Sequence, residues 1–137
     1  AELASPNVSV VLLGGHFRPS RMDTAGPLAI SATEQLRGYV AFIGADGLSS
    51  DFGPSAGDME SAYLHQVIVR CARETVLLVD SSKFSASSLF RIAAWEEIDK
   101  VVTNCPPSPQ WCDFFQESNI ELIHPTGLAC HAQESND

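Results

Sequence analysis

Val76-Leu77-Leu78-Val79, running into Asp80-Ser81-Ser82-Lys83-Phe84, is the stretch that decides how this 137-residue chain is read. The first part is apolar without alternation, so it reads as a strand covered on both faces, the mark of a parallel sheet. The second part places a carboxylate, two hydroxyls, an ammonium and an aromatic ring where that strand ends. In open α/β sheets small polar ligands bind in the crevice beyond the carboxyl ends of the strands, so this junction is the first place to look for function.

Working outward toward the N-terminus, Met59 to Glu74 reads as a helix. Ala62, Tyr63, Val67, Ile68, Val69 and Ala72 give it a broad apolar face, with Asp58 or Ser55 as cap. Leu48 to Asp58, rich in Gly, Ser, Asp and Pro, reads as loop. Tyr39 to Ile43 reads as a strand ending in Gly44-Ala45-Asp46-Gly47, and Leu28 to Arg37 as a modest helix opened by Gly26-Pro27. Val8 to Leu13 reads as a buried strand that stops at Gly14-Gly15.

Toward the C-terminus, a Ser-rich connection leads to Leu89-Phe90-Arg91-Ile92 and then a helical turn from Trp95 to Ile98. Lys100 to Thr103 reads as a strand, halted by Cys105-Pro106-Pro107-Ser108-Pro109. Gln110 to Glu117 reads as a helix carrying Trp111, Phe114 and Phe115, and Ile120 to Ile123 as a last strand. Residues 125–137 are small and polar and are expected to form a flexible tail. Strands alternating with helices predict an α/β domain built on a mainly parallel sheet.

Composition limits the function classes. The net charge is −9, and the basic residues Arg18, Arg21, Arg37, Arg70, Arg73, Lys83, Arg91 and Lys100 are scattered rather than clustered. A duplex-binding surface needs a basic stripe, and no helix-turn-helix pattern is visible, so this chain alone is not expected to hold DNA. No apolar run approaches the ~20 residues that span a bilayer. The chain starts at Ala1 without Met, cationic leader or secretory cleavage pattern, and is read as a fragment of a cytoplasmic protein. Cys71, Cys105, Cys112 and Cys130 lack a CxxC pair, and with His124 and His131 they fit no standard zinc spacing, so free thiols are expected.

The candidate site residues lie at strand ends. Gly14, Gly15 and Gly47 leave backbone amides bare for an anionic group, although a Gly pair after a strand is also an ordinary turn. Lys83 can offer a point charge to a phosphate and Asp80 can accept from sugar hydroxyls; the same pair could simply shape the turn. Asp46, Asp51, Asp58 and Glu60 crowd one loop and helix start, where the helix dipole already favours acidic residues, and no His cluster joins them. His65 stands alone on its helix, and His16 just past Gly15 is better placed for a ligand, although a solvent-facing loop histidine is the commoner case. No Ser-His-Asp or Cys-His signature supports nucleophilic catalysis, and neither metal nor cofactor is expected.

Taken in order, these pieces resemble the sensor domain of the DeoR family of bacterial transcriptional regulators. The matching runs are Val10 to Gly15, Arg18 onward to Gly26-Pro27, Ala41 to Gly47, Phe52-Gly53-Pro54, the Glu60 helix and Cys71-Ala72-Arg73-Glu74. The most specific are Leu77 to Phe84 and Ile98-Asp99-Lys100-Val101-Val102-Thr103. The resemblance implies a three-layer α/β/α fold similar to ribose-5-phosphate isomerase and glucosamine-6-phosphate deaminase, with residues 1–124 forming a partial sensor. It implies a phosphorylated sugar as effector, bound without turnover to control DNA binding by a helix-turn-helix domain outside these residues. Gly14, Gly15, Arg18, Asp46, Gly47, Glu60 and Lys83 would line or shape the effector crevice, and Asp80 would orient Lys83.

Ser61, Ser85 and Asn104 depart from the family pattern, which has Ala, Gly and Asp at those places; Asn104 removes a carboxylate near the crevice. The first half of the sensor, with its Gly-Thr-Thr phosphate loop, is also outside these residues. An incomplete sheet would expose edges and apolar surface, so homo-oligomerisation is expected. Two rivals remain: a sugar-phosphate isomerase-like enzyme using Asp46, Asp58 or Glu60 as base, and an oligomerisation module with a vestigial crevice.

Overall fold

The run that reads as a buried strand is an interior strand of a four-stranded parallel sheet. The computed structural model describes residues 9–125. In chain order, a hairpin of β1 (His16–Arg18) and β2 (Asp23–Ala25) leads into α1 (Pro27–Thr33) and β3 (Val40–Ile43). A second hairpin, β4 (Gly47–Ser49) and β5 (Gly53–Ala56), precedes α2 (Met59–Cys71) and β6 (Glu74–Val79). A 3-10 turn at Ser81–Ser85 follows, then β7 (Phe90–Arg91) and a second such turn at Trp95–Glu97. Strand β8 (Lys100–Thr103), α3 (Pro109–Glu117) and β9 (Glu121–Ile123) complete the described residues. The parallel sheet runs β3-β6-β8-β9, while β4-β5-β7 form a separate antiparallel sheet.

The α/β class expected from the alternation is therefore present, with differences. Val10, Val11 and Leu12 are exposed, and residues 9–14 lie in no strand, so the expected buried strand there is overturned; Val8 is outside the described residues. An apolar run becomes a strand only where a neighbour offers ladder hydrogen bonds, and no described residue pairs with this one. The expected loop from Leu48 to Asp58 contains the β4–β5 hairpin instead. Its Gly53-Pro54-Ser55-Ala56 strand is entirely buried, and such small residues carry no alternation for the eye to find. The expected tail begins where the described residues end. Cys71 and Cys112 are free as expected, but Cys105 is disulfide-bonded, and Cys130 lies outside the described residues. The free-thiol expectation rested on compartment, which cysteine spacing does not fix.

Helix α2 starts where the sequence places it. Asp58 is extended (φ −126°, ψ 145°) and its side chain accepts from the Ser61 backbone N–H at 2.9 Å. The helix stops at Cys71, earlier than expected, because Ala72 turns extended and Glu74 already opens β6.

Directly paired residues in a parallel sheet share a face. Ala41, Ile43, Thr75, Leu77, Val79, Val101 and Thr103 are buried on one face. On the other, Val76 is buried, but Phe42 is 66% exposed, Leu78 45% and Ile123 41%. At the start of the strands this face carries Lys100, held by Glu74 at 3.0 Å and Glu121 at 3.3 Å. Within the described residues the second face is thus only partly covered, Val76 being buried while Phe42, Leu78 and Ile123 are open. The covered core also contains an aromatic cluster, in which Phe84, Trp95, Trp111, Phe114 and Phe115 stack mostly edge to face.

Candidate functional site

The carboxyl ends of β3, β6 and β8 stand side by side and carry Gly44-Ala45-Asp46, Asp80-Ser81 and Asn104. Asp46 is locked in place at both ends of the residue. Its N–H donates to the Ser55 carbonyl at 2.8 Å, and its Oδ2 accepts from the Gly57 N–H at 2.7 Å. It forms one wall of a cleft of about 230 Å³, with Arg21, Asp23, Ser61 and His65 around it and Ala45, Ala56 and Ile92 among the small and apolar lining residues.

Arg18 braces this cleft. Its guanidinium grips the Asp23 carboxylate bidentately, Nε to Oδ1 at 2.8 Å and Nη2 to Oδ2 at 2.6 Å. It also reaches Asp58 at 3.0 Å and the Ser61 hydroxyl at 2.7 Å. Arg21 lies 2.8 Å from Asp58 Oδ2, an ion pair by proximity rather than an aligned hydrogen bond. The hydrogen bond to Asp23 raises the Arg18 pKa above its ordinary range and, reciprocally, lowers that of Asp23. Burial pushes the Asp58 carboxyl up, yet the Ser61 N–H and hydroxyl and the two arginines outweigh it and hold it at about 2. The cluster is therefore a network of ion pairs in which each arginine already has a carboxylate partner.

His65 projects from α2 into the same cleft. Its Nδ1 is buried and without a partner, and the ring makes no hydrogen bond to any described residue. Burial pushes its pKa down, against Asp23, Asp58 and Asp46 and helped by Arg18, so the ring is neutral at pH 7.

The next strand end is shaped by Asp80, whose Oδ1 accepts from the Ser82 N–H at 2.8 Å and from the Ser82 hydroxyl. These bonds and the nearby Lys83 charge hold its carboxyl below the usual range. Asn104 Oδ1 takes the Ser81 N–H at 2.8 Å, so the residue that departs from the family pattern ties the end of β8 to the end of β6. The loop is anchored from beneath: the Trp111 indole donates to the Phe84 carbonyl at 3.2 Å.

Of the residues singled out in the sequence, Asp46 lines the cleft and Arg18 stands behind it, bound to the lining residues Asp23 and Ser61, while Asp80 and Lys83 sit at the adjacent strand end. Gly47 is buried, and a Cβ there would lie 2.5 Å from the Ala86 carbonyl, so its glycine serves a close backbone approach. Gly15 (φ +108°) is likewise wedged against the Ala25 carbonyl, while Gly14 is exposed. Glu60 faces a different, largely apolar pocket of about 580 Å³, together with Met59, Tyr63, Leu89, Phe90 and Arg91. Sequence reading missed Arg21, Asp23, Ser61 and His65. The pairing of Arg18 with Asp23 across a tight hairpin had no motif to announce it. No described group of His, Cys, Asp and Glu is arranged to hold a metal ion.

A polar cleft beyond the ends of parallel strands is where α/β proteins take small polar ligands. The chain belongs to the family of DeoR C-terminal sensor domains, whose model matches residues 1–105. It is similar to the HTH-type transcriptional repressor GlcR of Bacillus subtilis, 25% identical over 85% of this chain and 45% of that protein. It is also similar to the HTH-type transcriptional regulator GlpR of Haloferax volcanii, 30% identical over 75% of this chain and 40% of the relative. The glycerol-3-phosphate regulon repressor of Escherichia coli is 24% identical over 82% of this chain and 45% of its own length. The chain thus spans about half the length of the curated relatives it matches.

Proposed function

We propose that this chain is the effector-binding part of a DeoR-type repressor of sugar metabolism, taking a phosphorylated sugar at the strand ends to control DNA binding by a helix-turn-helix domain outside these residues. The observation that carries the reading is the adjacency of two polar strand ends: the rigid Asp46 cleft, and the Asp80-to-Lys83 turn whose lysine offers a charge for a phosphate. The three-layer isomerase-like fold belongs to the same proposal, with the bare sheet face covered in the complete protein. So do a cytoplasmic location and a homo-oligomeric state. No described helix is long and apolar enough to cross a membrane.

The arrangement favours binding over turnover. Of the carboxylates that could serve as an enolising base, Asp58 is clamped between arginines and held ionised, and Asp46 is committed to the Gly57 N–H. Glu60 is in another pocket. A general base must be poised over the substrate C–H, and these are engaged elsewhere.

Thermal melts of the chain with glycerol 3-phosphate, glucose 6-phosphate and fructose 6-phosphate test this reading. One of them is expected to raise the melting temperature by several degrees at about 100 times its Kd, with no turnover. Interconversion of glucose 6-phosphate and fructose 6-phosphate above background would overturn it.

A further inference from the structure

We propose that His65 is a specificity residue of the Asp46 cleft, and that this cleft takes the polyhydroxylated end of the ligand rather than its phosphate. The inference rests on the sensor reading above and deepens it.

Charge argues first. Arg18 is bound to Asp23 and Asp58, and Arg21 is paired with Asp58, while Asp46 adds a further carboxylate. In and around the cleft carboxylates outnumber cations, and each arginine is already neutralised. A phosphate entering here would meet net negative charge and would have to break an ion pair. Hydroxyl groups suffer neither penalty, and the Asp46 and Asp23 side chains at the cleft wall carry oxygens that can accept from them.

His65 then stands out by what it does not do. It lines the cleft, yet neither ring nitrogen is hydrogen-bonded to a described residue, and Nδ1 is dry. Buried polar atoms are normally satisfied, so an idle imidazole beside a cavity points to a partner that arrives from outside. The facing charged groups are Arg18 on β1, Arg21 in the β1–β2 turn, Asp23 on β2, Asp46 after β3 and Asp58 at the start of α2. Kept neutral, the ring offers one donor and one acceptor. No contact with a described residue fixes its tautomer, so Nε2, the nitrogen that is not shut away, can either donate to or accept from a sugar hydroxyl. Carboxylates and backbone carbonyls accept only; His65 adds the complementary choice.

The test is nitrogen-15 NMR of the His65 ring in the unmodified chain, with the three phosphosugars above and inorganic phosphate as separate probes, alongside calorimetry of His65→Ala and His65→Gln. The phosphosugar that binds is expected to shift the His65 ring signals, whereas inorganic phosphate leaves them in place. His65→Ala should weaken binding roughly tenfold, and His65→Gln, which keeps a donor and an acceptor, should weaken it less. A phosphosugar that binds without moving these signals, or with unchanged Kd in His65→Ala, overturns the role of His65 and leaves the sensor reading standing. Movement by inorganic phosphate alone overturns the polyol assignment. Absence of binding by any probe overturns both proposals.

Discussion

The Arg18 guanidinium reaches the Asp58 carboxylate at 3.0 Å, tying the β1–β2 hairpin to the first turn of α2 across 40 residues of sequence. Asp58 thus has two tasks, capping the helix through Ser61 N–H and receiving the arginine. Arg18→Ala leaves both Asp23 and Asp58 short of a partner in a partly buried setting. It is expected to cost about 2 kcal/mol. Urea denaturation measures this directly; an unchanged midpoint would show that the hairpin contributes nothing to the stability of α2.

His65 in the cleft and Asp58 behind it set separate pH windows for stability. The Asp58 pKa is depressed in the fold, so its contribution is present above the ordinary carboxylate range and lost as pH falls through about 2. The His65 pKa is also depressed, because the fold favours the neutral ring. Its contribution is full above the unfolded value, about 6.5, and is lost as pH falls from there toward the folded value. Urea midpoints measured from pH 8 to pH 5 should therefore decline below about 6.5 in the wild type. The decline should be shallower in His65→Gln. Equal slopes would mean that His65 titrates normally.

Gly47→Ala tests the packing that positions the Asp80 loop. The added Cβ would sit 2.5 Å from the Ala86 carbonyl and 2.8 Å from Ser87 N, both backbone atoms that cannot swing aside. Overpacking of this kind is expected to cost about 1–3 kcal/mol. Circular dichroism melts of the variant check it.

Much of the fold was legible because burial imprints itself on sequence. Leu77, Val79 and Val101 read as strand residues, Asp58 read as a cap, and each is so placed. What escaped was structure made by backbone rather than by side-chain pattern. Ser55 and Pro54 are fully buried inside a strand, yet Gly, Ser and Pro spell loop. Val10 to Leu12 misled for the opposite reason: they look like a strand interior, but nothing described covers them. At the proposed site, the strand-end rule pointed to Asp46 and the Asp80–Lys83 turn, which the fold places at adjacent strand ends. It could not find Asp23 or His65, which reach the cleft from a hairpin and a helix face.

The bare face of the parallel sheet carries its own prediction. Phe42 on β3, Leu78 on β6 and Ile123 on β9 expose apolar surface across this face, and β3 and β9 each have an unpaired edge among the described residues. Such surfaces recruit another layer or another copy. The 137-residue chain is expected to self-associate with rising concentration and to bind an apolar dye. A Phe42→Ser, Leu78→Ser double variant should reduce both in sedimentation and fluorescence measurements. A stable monomer that ignores the dye would contradict this.

Calorimetric titration of a phosphosugar into the wild type and into Lys83→Ala tests the sensor reading most directly. Lys83 is expected to hold the phosphate, so the variant should bind about 10- to 100-fold more weakly, as for loss of a charge-assisted contact. The matching dephosphorylated sugar should bind both proteins alike. Equal affinity of the phosphosugar for wild type and Lys83→Ala, or no phosphosugar binding at all, would contradict the assignment of the strand-end row as the effector site.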